Sequence, residues 1–239
     1  PARGLFILGF LTLVVGASFA LYAWRAPTVG LGARFAPVSK ESVLLANNVV
    51  LVVAAAAVLL GTMYPLLLDA LGMGKISVGP PYFDTVFAPL MAPALFLMGV
   101  GPLARWKQAQ IPDLAKRLRW ALGVAIVAAL ATGWFAGHIG LASTLGLLMA
   151  YWVAGAVATD FWNQIRPQHS GWRESLVKMR QLPRATMGMM LAHLGVAAFC
   201  FGVTMVRTYD VERDVTMEVG DSTTVNGYTF TFKGTRELP

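Results

Sequence analysis

The sequence offers few residues able to do acid–base or ligand chemistry, and the one set deep in an apolar stretch is His193. It lies nine residues after Arg184 and fourteen before Arg207, with no other ionisable side chain but Cys200 between those arginines. At about 1.5 Å per helical residue, the imidazole would sit ~13 Å from the Arg184 end of a helix. An ionisable group at that depth in hydrocarbon is costly, which makes it a functional hypothesis. A neutral imidazole there can ligate a haem iron, relay protons or hydrogen-bond another helix, and residue type alone leaves all three open.

A haem iron with two histidine ligands needs the second nitrogen about 4 Å from the first, because each metal–imidazole bond is ~2 Å. His138 is expected at the external end of its helix, roughly 20 Å above His193 by the same rise. His169 is expected in a loop on the opposite side. A partner histidine is therefore expected from outside this chain. His138 reads as an interfacial residue or a contact at the outer surface.

Other candidates are weaker. Asn47 and Asn48 open a long apolar run, where amides commonly bond between helices for about 1 kcal/mol, or contact a ligand. Gly79-Pro80-Pro81-Tyr82-Phe83 reads as an external turn leading into an aromatic belt that anchors the interface or caps a pocket. Cys200 is the one cysteine, so no internal disulfide and no CxxC pair is available. No Walker loop, HExxH, GxSxG or dinucleotide fingerprint is present, and hydrolytic chemistry has no support.

The elements that must position these residues follow from hydrophobic length. The 239 residues are 56% hydrophobic and only 13% charged, about half the charged fraction of a soluble domain. The net charge of +7 sits between apolar runs rather than on one patch, so nucleic-acid binding is not expected. A membrane span needs ~20 mostly apolar residues. Arg3 and Arg25 enclose 21 uncharged residues, Glu41 and Asp69 enclose 27, and Asp84 and Arg105 enclose 20. The third stretch holds Pro89, Pro93, Gly99, Gly101 and Pro102 and predicts an irregular, kinked helix. Trp120 to Gly137 and Ile139 to Thr159 predict an antiparallel pair around Gly137-His138, and Ala185 to Val206 predicts a sixth span. The fold class is an all-α polytopic membrane protein with six transmembrane helices and a small external β module.

Lysine and arginine set the orientation. They cluster after the first span (Arg25, Arg34, Lys40), the third (Arg105, Lys107, Lys116, Arg117, Arg119) and the fifth (Arg166, Arg173, Lys178, Arg180, Arg184). Those loops are expected in the cytoplasm and the C-terminal tail outside. Ser170 to Arg184 carries Trp172, Leu176 and Met179 at helical spacing, as a helix lying in the lipid interface does. On the sixth helix, Ala185, Gly188, Ala192, Gly195 and Gly202 form a small-residue stripe expected to take the close helix contact. Thr186, Met189, Met190, His193, Ala197 and Cys200 would lie beside it, lining a methionine-rich pocket.

Residues 1–206 thus read as a helical bundle and residues 207–239 as an incomplete external module. From Arg207 on, four basic residues against six acidic leave −2, and the rest of the chain carries +9. Val211 to Val219 and Tyr228 to Phe232 carry strand-forming residues, with Asn226-Gly227 as the turn signal. The first apolar run lacks a cleavage pattern, so a signal peptide is not expected. The start at Pro1 and the end at Glu237-Leu238-Pro239 read as a piece of something longer.

Taken in order, several strings carry a resemblance: Ala2-Arg3-Gly4, Arg25-Ala26-Pro27, Ala46-Asn47-Asn48, Leu60-Gly61-Thr62, Gly79-Pro80-Pro81-Tyr82-Phe83, Gly99-Val100-Gly101-Pro102-Leu103, Ala192-His193-Leu194-Gly195, Val211-Glu212-Arg213-Asp214 and Gly220-Asp221-Ser222. Together they resemble the C-terminal portion of the CcmF family of cytochrome c-type biogenesis proteins, haem lyase components of the bacterial inner membrane. The resemblance implies that His193 matches an intramembrane histidine that is an axial ligand of a resident haem b. It implies a CcmE-type haem chaperone, a CcmH-type subunit presenting apocytochrome c, membrane lipid as surroundings, and covalent attachment of haem to CxxCH thiols. The family's tryptophan-rich segment, its two external histidines and its first intramembrane histidine are missing here, so the chain alone is expected to be inactive. A lyase serving nitrite reductase maturation shares much of the pattern. The readings that compete with a haem lyase are a membrane transporter and a structural scaffold without cofactor.

Overall fold

The computed structural model describes residues 2–28, 34–137, 139–166 and 171–235. Six helices in it are long and apolar enough to cross a membrane, as the uncharged stretches require. The first two are α1 (Ala2–Arg25) and α2 (Lys40–Ala70). Ser39 starts α2 as an N-cap, in extended backbone, its side chain accepting from Ser42 N–H at 3.2 Å.

The third span is irregular as expected, and longer than expected. It begins with α3 (Pro80–Tyr82), passes through a π-turn over Phe83–Phe87, continues as α4 (Ala88–Val100) and closes with a 3-10 turn over Gly101–Leu103. From Pro80 on, Gly79-Pro80-Pro81-Tyr82-Phe83 is therefore helical rather than a turn, with Gly79 as the N-cap. Prolines fit the first helical turn because the N–H they lack has no partner there. In the π-turn the Ala88 N–H donates to Phe83 O, widening the helix just ahead of Pro89, which has no N–H to give.

The remaining spans are α5 (Ile111–Phe135), α6 (Leu141–Ile165) and α8 (Arg184–Tyr209), with the short amphipathic α7 (Gly171–Arg180) between the last two. Helix α5 starts nine residues before Trp120, so Lys116, Arg117 and Arg119 ride on its first turns rather than in a loop. Long basic side chains tolerate this because the stem lies along apolar surface while the charge stays wet. The neighbouring segment is tied down by three backbone hydrogen bonds, from Ala36 N to Lys107 O, Lys40 N to Arg105 O and Ala109 N to Val38 O. Both Glu41 carboxylate oxygens accept the Lys107 N–H, whose residue has a left-handed φ of 63°.

Helix α6 is the centre of the bundle, packed on α4, α5 and α8. The core gathers Val153 and Ala156 of α6, Ala121 and Ala125 of α5, Leu95 and Val100 of α4, and Ala197 of α8. Helices α5 and α6 approach closely along the buried Ala121, Ala125, Ala129 and Gly133 of α5, and a Cβ added to Gly155 would meet Ala121 O at 3.3 Å. At α4, the Trp152 indole N–H donates to Phe96 O at 3.0 Å and its ring stacks on Phe96 at 5.6 Å. By contrast, α1 buries none of its apolar window.

The C-terminal sheet is a single hairpin, β1 (Ser222–Val225) against β2 (Tyr228–Thr231), in antiparallel register from Ser222↔Thr231 to Val225↔Tyr228. Asn226 and Gly227 turn with φ of 49° and 83°, the left-handed pair a type I′ turn demands. Val211 to Val219, expected as strand, forms none. Those residues have strand-type side chains, but no neighbouring edge among the described residues accepts their backbone groups.

Candidate functional site around His193

Helix α8 carries His193 on its packed face, one turn after Met189. The imidazole Nδ1 lies 2.8 Å from Met189 O. A carbonyl oxygen only accepts, so in the neutral ring Nδ1 carries the proton and Nε2 keeps the free lone pair. That leaves one ring nitrogen with ligand or acceptor character and fixes the ring by its other nitrogen, the usual arrangement of metal-bound histidine.

The expected rotation of this helix is corrected. A Cβ added to Gly188, Gly195 or Gly202 would meet nothing within 4 Å, and Ala185 and Ala192 are exposed. The small-residue stripe is open among the described residues. The packed face is instead Met190, 6% exposed, and Ala197, 5% exposed, with His193, Val196 and Cys200 half-buried beside them. The glycine that lets the helices meet is on the other partner: Thr204 of α8 fills the space where a Gly146 Cβ would stand on α6. Phe201 meets Tyr151 edge-on, with ring centroids 6.0 Å apart. His193 therefore faces α6 rather than pointing beside the contact.

Asp160 was not singled out by sequence because it closes an uncharged stretch and reads as a span boundary. Helix α6 continues to Ile165, and Asp160 follows Val153, Ala156 and Val157 on its buried face, only 8% exposed. The signal was that three- and four-residue spacing. Gln164 Nε2 donates to Asp160 Oδ2 at 2.9 Å, and Lys40 and His193 both lie within electrostatic range of the carboxylate. Lys40, Asp160 and His193 thus come from α2, α6 and α8 to the Lys/Arg-rich half of the bundle.

Asn47 does not make the expected interhelical bond: its Oδ1 is buried with no hydrogen-bond partner among the described residues, and Asn48 is exposed. His138 and His169 lie outside the described residues. Tyr82 caps a concavity as its motif allowed. Its hydroxyl donates to Ala57 O at 2.8 Å, its ring rests on Gly61, and with Leu60, Tyr64, Ile76 and Val78 it lines an apolar hollow of about 320 Å³. That hollow does not include His193. Among the described residues no group of three His, Cys, Asp or Glu could hold a bare metal ion.

No family model matches. Curated relatives do: the chain is 44% identical over 236 residues to the cytochrome c-type biogenesis protein CcmF of Pseudomonas aeruginosa, covering 99% of the chain and 35% of that protein. It is 39% identical to CcmF of Escherichia coli, across 100% of the chain and 35% of that protein. The chain is homologous to CcmF along its whole length. It spans about a third, 35%, of the relatives it matches. NrfE of Haemophilus influenzae, also a cytochrome c-type biogenesis protein, is 29% identical over 97% of the chain and 35% of its own length. A solved structure of the cytochrome c haem lyase CcmF matches at a TM-score of 0.58 and 27% identity, over 90% of this chain and 32% of that one. The likeness to CcmF agrees with the resemblance read from the sequence, and the six apolar helices with its multi-pass membrane class.

Proposed function

We propose that this chain is part of a haem lyase of cytochrome c maturation, in which His193 is an axial ligand of a resident haem b. The observation that carries the reading is the state of the ring: Nδ1 is bonded to Met189 O, on a helix face packed in the bundle, so Nε2 alone is left to bind. Iron is an apt partner for that lone pair, because an unpaired polar nitrogen in hydrocarbon is costly. The haem would supply one-electron chemistry; the chain's contribution is to hold the ring in one tautomer and one orientation. The similarity to proteins named CcmF supports the same reading.

The second axial ligand comes from outside this chain. The chain by itself does not attach haem to the CxxCH thiols of apocytochrome c, and it works beside a CcmE-type chaperone and a CcmH-type subunit. It lies in the bacterial inner membrane with residues 207–239 in the periplasm, since its basic residues cluster at the other end of the bundle. In the full polypeptide, the reduced spectrum shows a b-type Soret band that His193→Ala abolishes while the protein still accumulates. A band kept at full strength removes His193 as ligand; absence of haem from the wild type favours a transporter or a scaffold.

A further inference from the structure

Two contacts fix how α6 and α8 lie along one another: Thr204 on Gly146, and Phe201 against Tyr151. The helices run antiparallel, so carrying that register toward their Lys/Arg-rich ends sets Asp160 level with residues 190–192, within one turn of His193. Asp160 is on the buried face of α6 and Met190 on the buried face of α8, so the carboxylate and the imidazole occupy the same seam. The carboxylate is held rather than free, since Gln164 donates to Oδ2 at 2.9 Å. Burial works against its charge, while the Gln164 N–H, the Lys40 ammonium and the His193 ring favour the charged form. A buried carboxylate that served only stability would be weakly motivated here, because well-packed apolar groups stabilise as well or better.

We propose that Asp160 is a positioning residue for the His193 site, supplying a fixed negative charge that biases the bound haem toward its ferric state. The inference rests on the haem reading above. The physical reason is simple: oxidation adds one positive charge at the iron, and a nearby anion in a poorly screened medium stabilises that charge. Removing the anion therefore raises the midpoint potential. For a unit charge ~10 Å away at an effective dielectric near 20, the reduction equilibrium should move by about tenfold. For a one-electron couple that is about 59 mV.

The test is a potentiometric titration of the haem in the full polypeptide, with redox mediators and optical detection, for Asp160→Asn, Asp160→Glu and Gln164→Lys. Asp160→Asn removes the charge, and Gln164→Lys replaces the Gln164 donor with a cation that offsets the charge while Asp160 itself is kept, so both should raise the midpoint; Asp160→Glu keeps the charge and should stay near wild type. Haem content and band position should be unchanged throughout, which separates a charge effect from damage to the site. A wild-type midpoint in Asp160→Asn overturns the inference, as does one in Gln164→Lys if Asp160→Asn does not accumulate. If the wild type holds no haem, the haem reading falls and this inference with it. If it holds haem and the midpoints coincide, this inference alone falls.

Discussion

Gly99 lets α4 and α6 approach because it has no side chain under Trp152. Trp152 lies flat over it, and a Cβ built on Gly99 would stand 2.3 Å from Trp152 Nε1, 2.7 Å from Cε2 and 2.9 Å from Cδ1. All three atoms belong to a rigid ring that is 3% exposed and stacked on Phe96 at an interplanar angle of 7°. To clear the methyl group the ring must move by about 1 Å, since non-bonded carbons prefer separations near ~3.5 Å or more. That displacement breaks the 3.0 Å bond from Trp152 Nε1 to Phe96 O and disturbs the stack. Overpacking costs about 1–3 kcal/mol, the hydrogen bond about 1, and the aromatic contact about 0.5–1.5, and the three overlap. Gly99→Ala should therefore destabilise by about 2–4 kcal/mol, a fall of roughly 5–15 °C in midpoint for a unit of this size. The assay is the fraction of detergent-solubilised protein that stays monodisperse on size-exclusion after heating. Gly99→Ala with the wild-type midpoint would show that α4 and α6 do not meet through this ring. Gly99→Ala with Trp152→Phe should recover part of the loss, because the smaller ring frees the space beside the new methyl.

Other outcomes follow from the same contacts. Asn47→Leu removes a buried oxygen without a partner among the described residues, so it should leave stability unchanged or raise it by about 1–2 kcal/mol in the same heating assay; a clear loss would reveal that Asn47 is bonded by something beyond those residues. Arg207 pairs with Asp84 between α8 and the third span, but the two side chains are 58% and 55% exposed, so Arg207→Gln should cost less than about 1 kcal/mol, and a loss above 2 kcal/mol would contradict that. His193→Ala should remove the b-type band in the reduced spectrum, and Asp160→Asn should shift the haem's potential upward in a potentiometric titration.

The residues themselves gave the number of spans, because a charge in mid-hydrocarbon is costly: uncharged stretches of 21, 27 and 20 residues mark the first three, and the apolar runs over 120–137, 139–159 and 185–206 mark the other three. They also determined the irregularity between Asp84 and Arg105, since proline removes backbone donors wherever it stands. His193 stood out for the same reason, as an ionisable ring in an apolar run. The hairpin turn was legible in Asn226-Gly227, the pair that accepts left-handed backbone most readily.

Helix rotation was decided only by tertiary packing. Small residues line a stripe of α5 as well as one of α8, and the sequence pointed to the α8 stripe for the close contact. In the fold, α5 presents Ala121, Ala125 and Ala129 to α6, while α8 leaves its glycines open and presents Met190, His193 and Ala197. The reason is that a close contact needs a small residue on one side only, and for α8 that residue is Gly146 on α6. The same rotation made Asp160 part of the site. Along the chain it marks the end of an uncharged run; across the bundle it is a buried carboxyl within electrostatic range of the imidazole. Composition sets how many helices cross, but which faces meet depends on pairs of side chains far apart in sequence, and no single stretch contains both halves of such a pair.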